Sequence, residues 1–193
     1  NLQRCGLVSL VVASGRPLTM DMLIKLYPQE ALQAAKVAGA VVRKPIGPEH
    51  TAITNWVASR FGPGWASEVQ VALSNRPITC WIATRDSTLL GFACFDATAR
   101  GFFGPIGVDD AVRGQGVGKS LVARLLADAE GAGFRQMIAV IGDSENIGSI
   151  GVHTSLGFKQ VGLLRASGLK FGRWVDTVYM QRALGRGDVD VPG

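Results

Sequence analysis

The residues with the clearest chemical signature lie between Phe102 and Leu125. A short apolar run ends at Val108, and a glycine-rich loop follows from Arg113. From Lys119 onward, apolar residues recur at the spacing of a helix. Glycines let a backbone approach a ligand closely, and the first turn of a helix presents several unbonded N–H groups. A strand, a glycine loop and a helix N-terminus in this order predict an anion site, with phosphate as the expected ligand.

Glycine spacing distinguishes three kinds of phosphate loop. A Walker A loop requires a glycine where this chain has Arg113, and the dinucleotide fingerprint requires one where it has Lys119. The pattern Arg/Gln-x-x-Gly-x-Gly/Ala fits in full at Arg113, Gly116 and Gly118. It resembles the pyrophosphate loop of GNAT N-acetyltransferases, which bind acetyl-CoA. A chance glycine turn before an ordinary helix also fits these six residues, so the rest of the chain must decide.

Composition limits the possible classes of protein. The 193 residues, 47% of them hydrophobic and 18% charged, suit one globular domain with a single core. The net charge of +5 comes from scattered basic residues, which favours a solvated surface and no nucleic-acid partner. Cys5, Cys80 and Cys94 lack metal-ligand spacing, so we expect no metal and a reduced, cytoplasmic protein. The apolar run Cys5–Ala13 is too short to span a bilayer, so we expect no membrane partner.

We divide the chain into three parts. Residues 1–39 form an N-terminal extension, 40–185 the acetyltransferase-like domain and 186–193 a C-terminal tail. Residues 1–19 are either not native, with the natural start near Met20 or Met22, or an added edge strand.

The order of the predicted elements indicates an α/β fold. Strands are expected at Ala40–Arg43, Ile78–Thr84, Leu89–Asp96, Phe102–Val108, Met137–Ile141, Phe158–Leu164 and Val175–Gln181. Helices are expected at 28–39, Glu49–Phe61, Trp65–Leu73, Lys119–Glu130 and Asn146–Leu156. The result is a mixed, mostly antiparallel sheet with helices on both faces, in the element order of the GNAT fold. That resemblance implies parallel central strands that splay apart, with the pantetheine arm of acetyl-CoA in the gap.

The C-terminal half resembles a narrower group. Asn146–Phe158 is similar to the GNAT pattern N-x-x-S/A-x-x-x-Tyr/His-x-x-x-G-F. Gly168–Asp176 resembles the signature G-x-K-F-G-R-W-x-D of phosphinothricin and methionine-sulfoximine acetyltransferases. This resemblance implies a small amine substrate, such as an amino acid or an analogue, and a homodimer.

The resemblance also assigns site residues. For acetyl-CoA it implies contacts from Ile106, Gly107, Val108, Arg113, Gly114, Gln115, Gly116, Val117, Gly118, Lys119, Ser120, Asn146 and Ser149. His153 would sit near the sulfur, where many relatives have a tyrosine. Substrate-binding residues would be Trp65, Phe103, Lys170 and Arg173.

The chain departs from the phosphinothricin group at one position. That group has a glutamate, its expected general base, where this chain has Phe103. Asp96, at the end of a strand that we expect to enter the cleft, is the substitute candidate, although it would equally stabilise a turn. Glu68 is weaker, because a solvated helix face explains it. We expect Asp109 and Asp110 to cap the turn before the helix.

Structural interpretations remain open for the other residues. His153 would also suit a partly buried, hydrogen-bonded position. Lys170, Arg173 and Asp176 form either a surface ion-pair cluster or, through a loop over Lys170–Trp174, part of the acceptor pocket. Trp65 is either core or the roof of that pocket.

Two classes of function therefore stay open. The first is an acetyl-CoA-dependent N-acetyltransferase for a small amine, with protein N-termini and aminoglycosides as further acceptors. The second is a GNAT-fold module that binds acyl-CoA without turnover.

Overall fold

A computed structural model describes residues 39–170 and 172–190 of the chain. Its helices are α1 (His50–Phe61), α2 (Pro63–Ser74), α3 (Val117–Gly131) and α4 (Ile147–Ser155). Its strands are β1 (Val41–Arg43), β2 (Cys80–Arg85), β3 (Thr88–Phe95), β4 (Phe103–Val108), β5 (Gln136–Gly142), β6 (Lys159–Lys170) and β7 (Arg173–Ala183). The helix expected over 28–39 and the two interpretations of residues 1–19 lie outside the described residues.

The strands form two antiparallel sheets. The first has the order β1-β2-β3-β4 and the second the order β5-β7-β6. The chain passes from β4 through α3 to β5, so α3 connects one sheet to the other. The ladder hydrogen bonds of β4 go to β3 and those of β5 go to β7. The expected α/β fold with mostly antiparallel strands is confirmed. Strands β4 and β5 do not pair with each other, and each forms the edge of its own sheet. The parallel direction of this central pair stays a prediction.

Helix α3 joins the two sheets. Its buried side chains form the stripe expected from the sequence. Leu121 and Leu125 pack with Trp81 against the first sheet. Val122 and Leu126 pack with Met180 and other residues of the second sheet. Helices α1 and α2 cover the opposite face of the first sheet, so helices lie on both faces as expected.

Most element boundaries differ from the expected ones by only a few residues. Helix α2 begins at Pro63, because proline suits the first helical position and lacks the N–H that would be unbonded there. A loop over Lys170–Trp174, which one of the two interpretations of this segment required, is wrong, because β6 ends at Lys170 and β7 begins at Arg173. Lys170 is paired with Arg173 across β6 and β7, so this segment is the end of a hairpin. Among the described helices, none is both long and apolar enough to cross a membrane.

Strand β4 is irregular where it passes α1 and α2. The register between β3 and β4 shifts between Ala93 and Phe95, so Phe103 to Ile106 oppose a shorter stretch of β3, which is a β-bulge. Beyond the bulge, a Cβ atom at Gly107 would lie 2.6 Å from Phe92 Cε1 and 2.7 Å from Phe61 Cζ. The aromatic rings therefore occupy the space that any side chain at position 107 would need.

We predict that Gly107→Ala lowers the free energy of unfolding by about 1–3 kcal/mol, because the fully buried Phe92 ring cannot move away from the added methyl group. Gly151→Ala is the matched control. Nothing lies within 4 Å of its Cβ, and an alanine inside α4 should stabilise the protein by up to about 1 kcal/mol. Urea unfolding measures both values, and equal stabilities for Gly107→Ala and the unmodified chain would contradict the packing described.

Candidate functional site

The N-terminus of α3 is open to a ligand. Gly114 and Gly116 have φ values of +77° and +83°, the left-handed region that favours glycine. Gly116 is the N-cap residue, and no side chain bonds to the first turn. The N–H groups of Val117 and the two residues after it therefore have no intrahelical acceptor. Free donors at the positive end of a 15-residue helix make this loop suited to a phosphate group.

The side chains of the glycine loop differ in their exposure and in whether they already have a hydrogen-bond partner. The Ser120 hydroxyl is buried and donates to the Gly116 carbonyl oxygen at 3.2 Å, which favours its interpretation as a helix-turn residue. The Gln115 side chain accepts a hydrogen bond from Arg85 Nη2 at 3.3 Å. Arg113 is paired with Asp110 at 2.6 Å, but both side chains are mostly exposed and such pairs are easily exchanged for another partner. Lys119 is exposed.

Backbone groups of β4 face the gap between the sheets. Asp109 N donates to Leu90 O at 2.8 Å, so the ladder hydrogen bonds at that pair fix the alternation along β4. By this alternation Gly107 is bonded to β3, whereas the N–H and C=O groups of Ile106 and Val108 point toward β5. Two of the three residues expected on β4, Ile106 and Val108, thus have backbone groups that are not used by β3. The third, Gly107, has its backbone groups bonded to β3 and lies against the Phe61 ring.

The facing edge of β5 follows the same rule. Leu184 N donates to Arg135 O at 2.9 Å, which places the N–H and C=O groups of Ile138 and Val140 toward β4. Two strand edges that do not bond to each other thus line one gap, at whose end α3 begins. An extended chain with amide groups, such as a pantetheine arm, would satisfy these edges as a third strand would.

Hydrogen bonds connect three expected site residues on α4. Asn146 caps the helix by accepting from Ser149 N at 3.1 Å, and the Ser149 carbonyl oxygen lies 2.8 Å from His153 Nδ1. The amide nitrogen of Asn146 has no partner among the described residues, which leaves it available to donate to a ligand. The structure therefore brings Asn146, Ser149 and His153 together.

His153 is buried and held in one orientation. It is 6% exposed, and its ring packs edge-on against Phe158 with centroids 5.1 Å apart. Burial lowers the pKa of His153 below 6.5, and the hydrogen bond to Ser149 only partly opposes this effect. The imidazole is therefore neutral near pH 7. Its Nδ1 faces a carbonyl oxygen and so carries the proton, which leaves Nε2 as an acceptor without a partner among the described residues.

Charged residues of the C-terminal signature hold the hairpin to the turn before α4. Arg173 Nη2 lies 2.7 Å from Asp143 Oδ2 and 3.3 Å from Glu145 Oε2. Asp176 accepts hydrogen bonds from Ala166 N at 3.0 Å and from Ser144 Oγ at 3.1 Å. The Ala166 bond, followed by that of Ser144, lowers the pKa of Asp176.

These contacts favour the ion-pair interpretation of Arg173 over a direct substrate contact, with Asp143 and Glu145 as its partners instead of Asp176. They also fix the turn that leads to Asn146. The side chain of Lys170, the other basic residue expected to bind substrate, lies outside the described part of the chain.

Asp96 and Phe103 lie away from the glycine loop. Asp96 has a φ value of +52°, and its Oδ1 accepts from Gly101 N at 2.5 Å. These features support the turn-stabilising interpretation. The Phe103 ring packs between the cores of both sheets, on the α3 side. The bulge in β4 accounts for this direction, because the extra residue between Phe103 and Ile106 puts both side chains on the same face.

Trp65 belongs to an aromatic group on the other face of β4. It stacks on Phe61 with ring centroids 5.2 Å apart and remains 37% exposed. Phe61 in turn covers Gly107. The exposed part of Trp65 therefore lies beside the C-terminal half of β4.

One pair at the site is absent from the sequence expectations. Arg60 Nε lies 2.8 Å from Asp109 Oδ2, and its guanidinium carbon lies 4.5 Å from the Trp56 ring centroid. Asp109 also caps the short turn Asp110–Val112 through Ala111 N, and this bond, followed by Arg60, lowers the pKa of Asp109. The capping role expected for Asp109 is confirmed. Its link to α1 joins residues 49 positions apart, for which the sequence gives no signal.

Comparisons with known proteins agree with this geometry. A family model described as the acetyltransferase (GNAT) family matches residues 50–158. The chain is 44% identical over 122 residues to a phosphinothricin N-acetyltransferase of Alcaligenes faecalis, over 58% of this chain and 59% of that protein. It is 42% identical over 77 residues to an L-methionine sulfoximine/L-methionine sulfone acetyltransferase of Salmonella typhimurium, over 40% of this chain and 44% of that one. The chain thus matches less than two thirds of the length of these relatives.

Two solved structures are similar over a larger share. A GNAT superfamily phosphinothricin acetyltransferase from Sinorhizobium meliloti, in complex with AcCoA, is 32% identical with a TM-score of 0.64. The similarity covers 80% of this chain and 94% of that one. The yncA protein of Salmonella typhimurium, solved with its cofactor acetyl-CoA, is 27% identical with a TM-score of 0.63, over 76% of this chain and 95% of that one.

We predict that His153 makes stability depend on pH. Its pKa is lower in the folded protein than in the unfolded chain, so the unfolded chain binds more protons as the pH falls below about 6.5. The stability contributed by neutral His153 is complete above that pH and is lost below it, by up to about 1.4 kcal/mol per pH unit until the folded-state pKa is reached. Urea unfolding between pH 5 and pH 8 measures the slope.

His153→Gln should flatten this pH dependence. Thr154→Ala, an exposed neighbour on the same helix, should retain it. Parallel curves for His153→Gln and the unmodified chain would show that the imidazole is not buried as described.

Proposed function

Because the chain belongs to the acetyltransferase (GNAT) family, we propose that it transfers the acetyl group of acetyl-CoA to the primary amine of an amino acid or amino-acid analogue. One observation carries this proposal. The uncapped N-terminus of α3 lies at the end of a gap lined by the unbonded backbone edges of β4 and β5. A pyrophosphate followed by an amide-containing arm has the charge and the hydrogen-bonding groups that this surface needs.

The residues of the gap would bind and orient the co-substrate. Arg113 and Lys119, with the N–H groups from Gly114 to Gly118, would hold the pyrophosphate. The backbone of Ile106 and Val108 and the amide of Asn146 would bind the arm. Acetyl-CoA would supply an activated acetyl thioester.

An N–H group in the gap would stabilise the negative charge that develops on the thioester oxygen. Fixed backbone donors serve this purpose well because they need no reorganisation during the reaction. Ile106 and Val108 supply the donors on β4 that point away from β3. Removing a donor of this kind typically lowers the rate by about 10²–10³.

His153 would move the proton. An amine with a pKa near 10.4 is mostly protonated at pH 7, so a base increases the reactive fraction. The neutral imidazole has a free Nε2 and a Nδ1–H fixed by Ser149, the arrangement of a base whose orientation is set by a neighbour. It would accept the proton of the attacking amine and return it to the departing thiolate. His153 would thus take the role of the glutamate that the phosphinothricin group has at the position of Phe103.

The substrate class rests on the relatives. They are named for phosphinothricin, L-methionine sulfoximine and L-methionine sulfone, all of which are α-amino acids. In this chain, the exposed part of Trp65 would pack against the substrate side chain. Arg173 would act by holding the hairpin and the Asn146 turn, since its charge is already paired with two carboxylates.

We predict turnover with acetyl-CoA and phosphinothricin, methionine sulfoximine or methionine sulfone in a thiol-release assay. An aminoglycoside and a short peptide serve as control amines and should react at least about tenfold more slowly. His153→Ala should lower kcat by about 10²–10⁴, the usual contribution of acid–base catalysis. Asp96→Asn should leave kcat unchanged within about twofold, because Asp96 stabilises a turn.

The outcomes separate the candidate functions. Turnover only with the aminoglycoside or the peptide would contradict the substrate class. Calorimetric binding of acetyl-CoA without turnover on any amine would favour the binding module that Phe103 suggests. Failure to bind acetyl-CoA would contradict the proposal as a whole.

We further propose a homodimer through the outer face of the second sheet. Ile138 and Val140 alternate with buried residues of β5 and are 53% and 58% exposed. Val161 and Leu164 of β6 are 58% and 51% exposed, so a contiguous sheet carries apolar residues on its surface. Light scattering after gel filtration should give twice the mass of one chain, and Val140→Lys should give a single chain. A single-chain mass for the unmodified protein would contradict the dimer.

The proposal includes a cytoplasmic location. Cys80 and Cys94 are free thiols although they lie opposite one another on β2 and β3. Free neighbouring thiols suit a reducing compartment. Measurement of the protein in fractionated cells tests this location, and recovery from a secreted fraction would contradict it.

A further inference from the structure

A second cavity lies at the other end of α3. The last turn of α3, the end of β3 and the segment between α2 and β2 line a space of about 750 Å³. Helix α3 has 15 residues and is therefore about 22 Å long, so this cavity is well separated from the glycine loop at its N-terminus. Its volume falls within the range of small-molecule sites. The cavity is therefore separate from the gap between β4 and β5.

A charged pair, Lys44 and Asp128, lines the cavity. Asp128 Oδ2 accepts from Lys44 Nζ at 2.9 Å and from Trp81 Nε1 at 2.7 Å. The Lys44 ammonium also lies 4.3 Å from the Trp81 ring centroid and 5.3 Å from that of Phe95. Burial lowers the pKa of Lys44, and Asp128 only partly opposes this effect. An additional negative group nearby would therefore stabilise the ammonium.

Two arginines give the rim an excess of positive charge. Arg76 Nη1 donates to the carbonyl oxygens of Leu73, Ser74 and Asn75, which holds its guanidinium in place. The other nitrogens of Arg76 have no partner among the described residues. Arg100 forms no hydrogen bond or ion pair with any residue in the described part of the chain. Asp96, the second carboxylate of the lining, already accepts from Gly101 N.

The rest of the wall is mainly apolar. Phe95 and Ile78 are half-buried and line the cavity together with Pro77. A bound molecule would thus meet uncommitted guanidinium donors at one side and apolar surface at the other. Arginine binds carboxylates through two parallel hydrogen bonds, which suits a compact acid.

We propose that this cavity binds a small organic acid, with its carboxylate between Arg76 and Arg100 and its apolar body against Phe95 and Ile78. The site is independent of the acetyl-transfer site, because no residue that we assign to acetyl-CoA lines it. Its ligand is a monocarboxylate with a compact apolar group.

Ligand-observed NMR with phenylacetate tests the proposal on the full chain saturated with acetyl-CoA. Phenylacetamide, which has the same shape without the charge, is the matched ligand control. We expect phenylacetate to bind at least about tenfold more tightly than phenylacetamide, as expected for a hydrogen bond between charged groups. Acetyl-CoA should leave the affinity unchanged.

Variants identify the site. Arg100→Gln should weaken phenylacetate binding about tenfold, and Arg100→Lys should restore part of it. Arg165→Gln, which removes an exposed charge on β6, should have no effect. Arg100 has no described partner, so its replacement should leave the thermal unfolding midpoint unchanged, which is measured in parallel.

Each remaining outcome overturns the proposal. No binding of phenylacetate at millimolar concentration would show that the cavity holds no acid of this class. Equal binding of the acid and the amide, or unchanged binding in Arg100→Gln, would show that the arginines do not hold a carboxylate. Loss of phenylacetate binding on addition of acetyl-CoA would place the acid in the gap between β4 and β5.

Discussion

The absence of ladder hydrogen bonds between β4 and β5 is the constraint on which the site depends. The first sheet ends at β4 and the second at β5, and α3 holds both through opposite sides of one apolar stripe. A ligand that excludes water from such edges must supply partners for their backbone groups, because an unbonded buried N–H or C=O group is costly. A ligand that pairs with both edges meets this need. The fold thus provides a binding surface made of backbone, whose chemistry depends little on side chains.

Glycines and aromatic rings shape that surface from two sides. On the α3 side, Gly114 and Gly116 adopt left-handed conformations that direct N–H groups out of the helix. On the α1–α2 side, Gly107 lets Phe61 pack directly on β4, and Trp65 stacks on Phe61. Arg60 then joins α1 to Asp109, just before the glycine loop. The aromatic group around Trp65 and the segment that leads into the glycine loop are therefore connected through Arg60 and Asp109.

Local patterns in the sequence predict the elements well, because helical periodicity, proline position and glycine spacing act over a few residues. The stripe of α3 and the helix expected from Asn146, which begins one residue later at Ile147, belong to this class. The partners of charged side chains could not be predicted. Arg173 pairs with Asp143 across 30 residues, and Asp96 faces the far end of α3 instead of the gap. The bulge in β4 decides where Phe103 points, and no residue pattern marked its effect on side-chain direction.

Amide hydrogen exchange by NMR, with and without acetyl-CoA, tests the central claim most directly. In the free protein, the Gly107 amide should exchange slowly because it is bonded to β3, whereas those of Ile106 and Val108 should exchange rapidly. Acetyl-CoA should slow exchange at Ile106, Val108 and the first turn of α3 while leaving Gly107 unchanged. Equal exchange along β4 in the free protein, or protection by acetyl-CoA only outside these residues, would contradict the account.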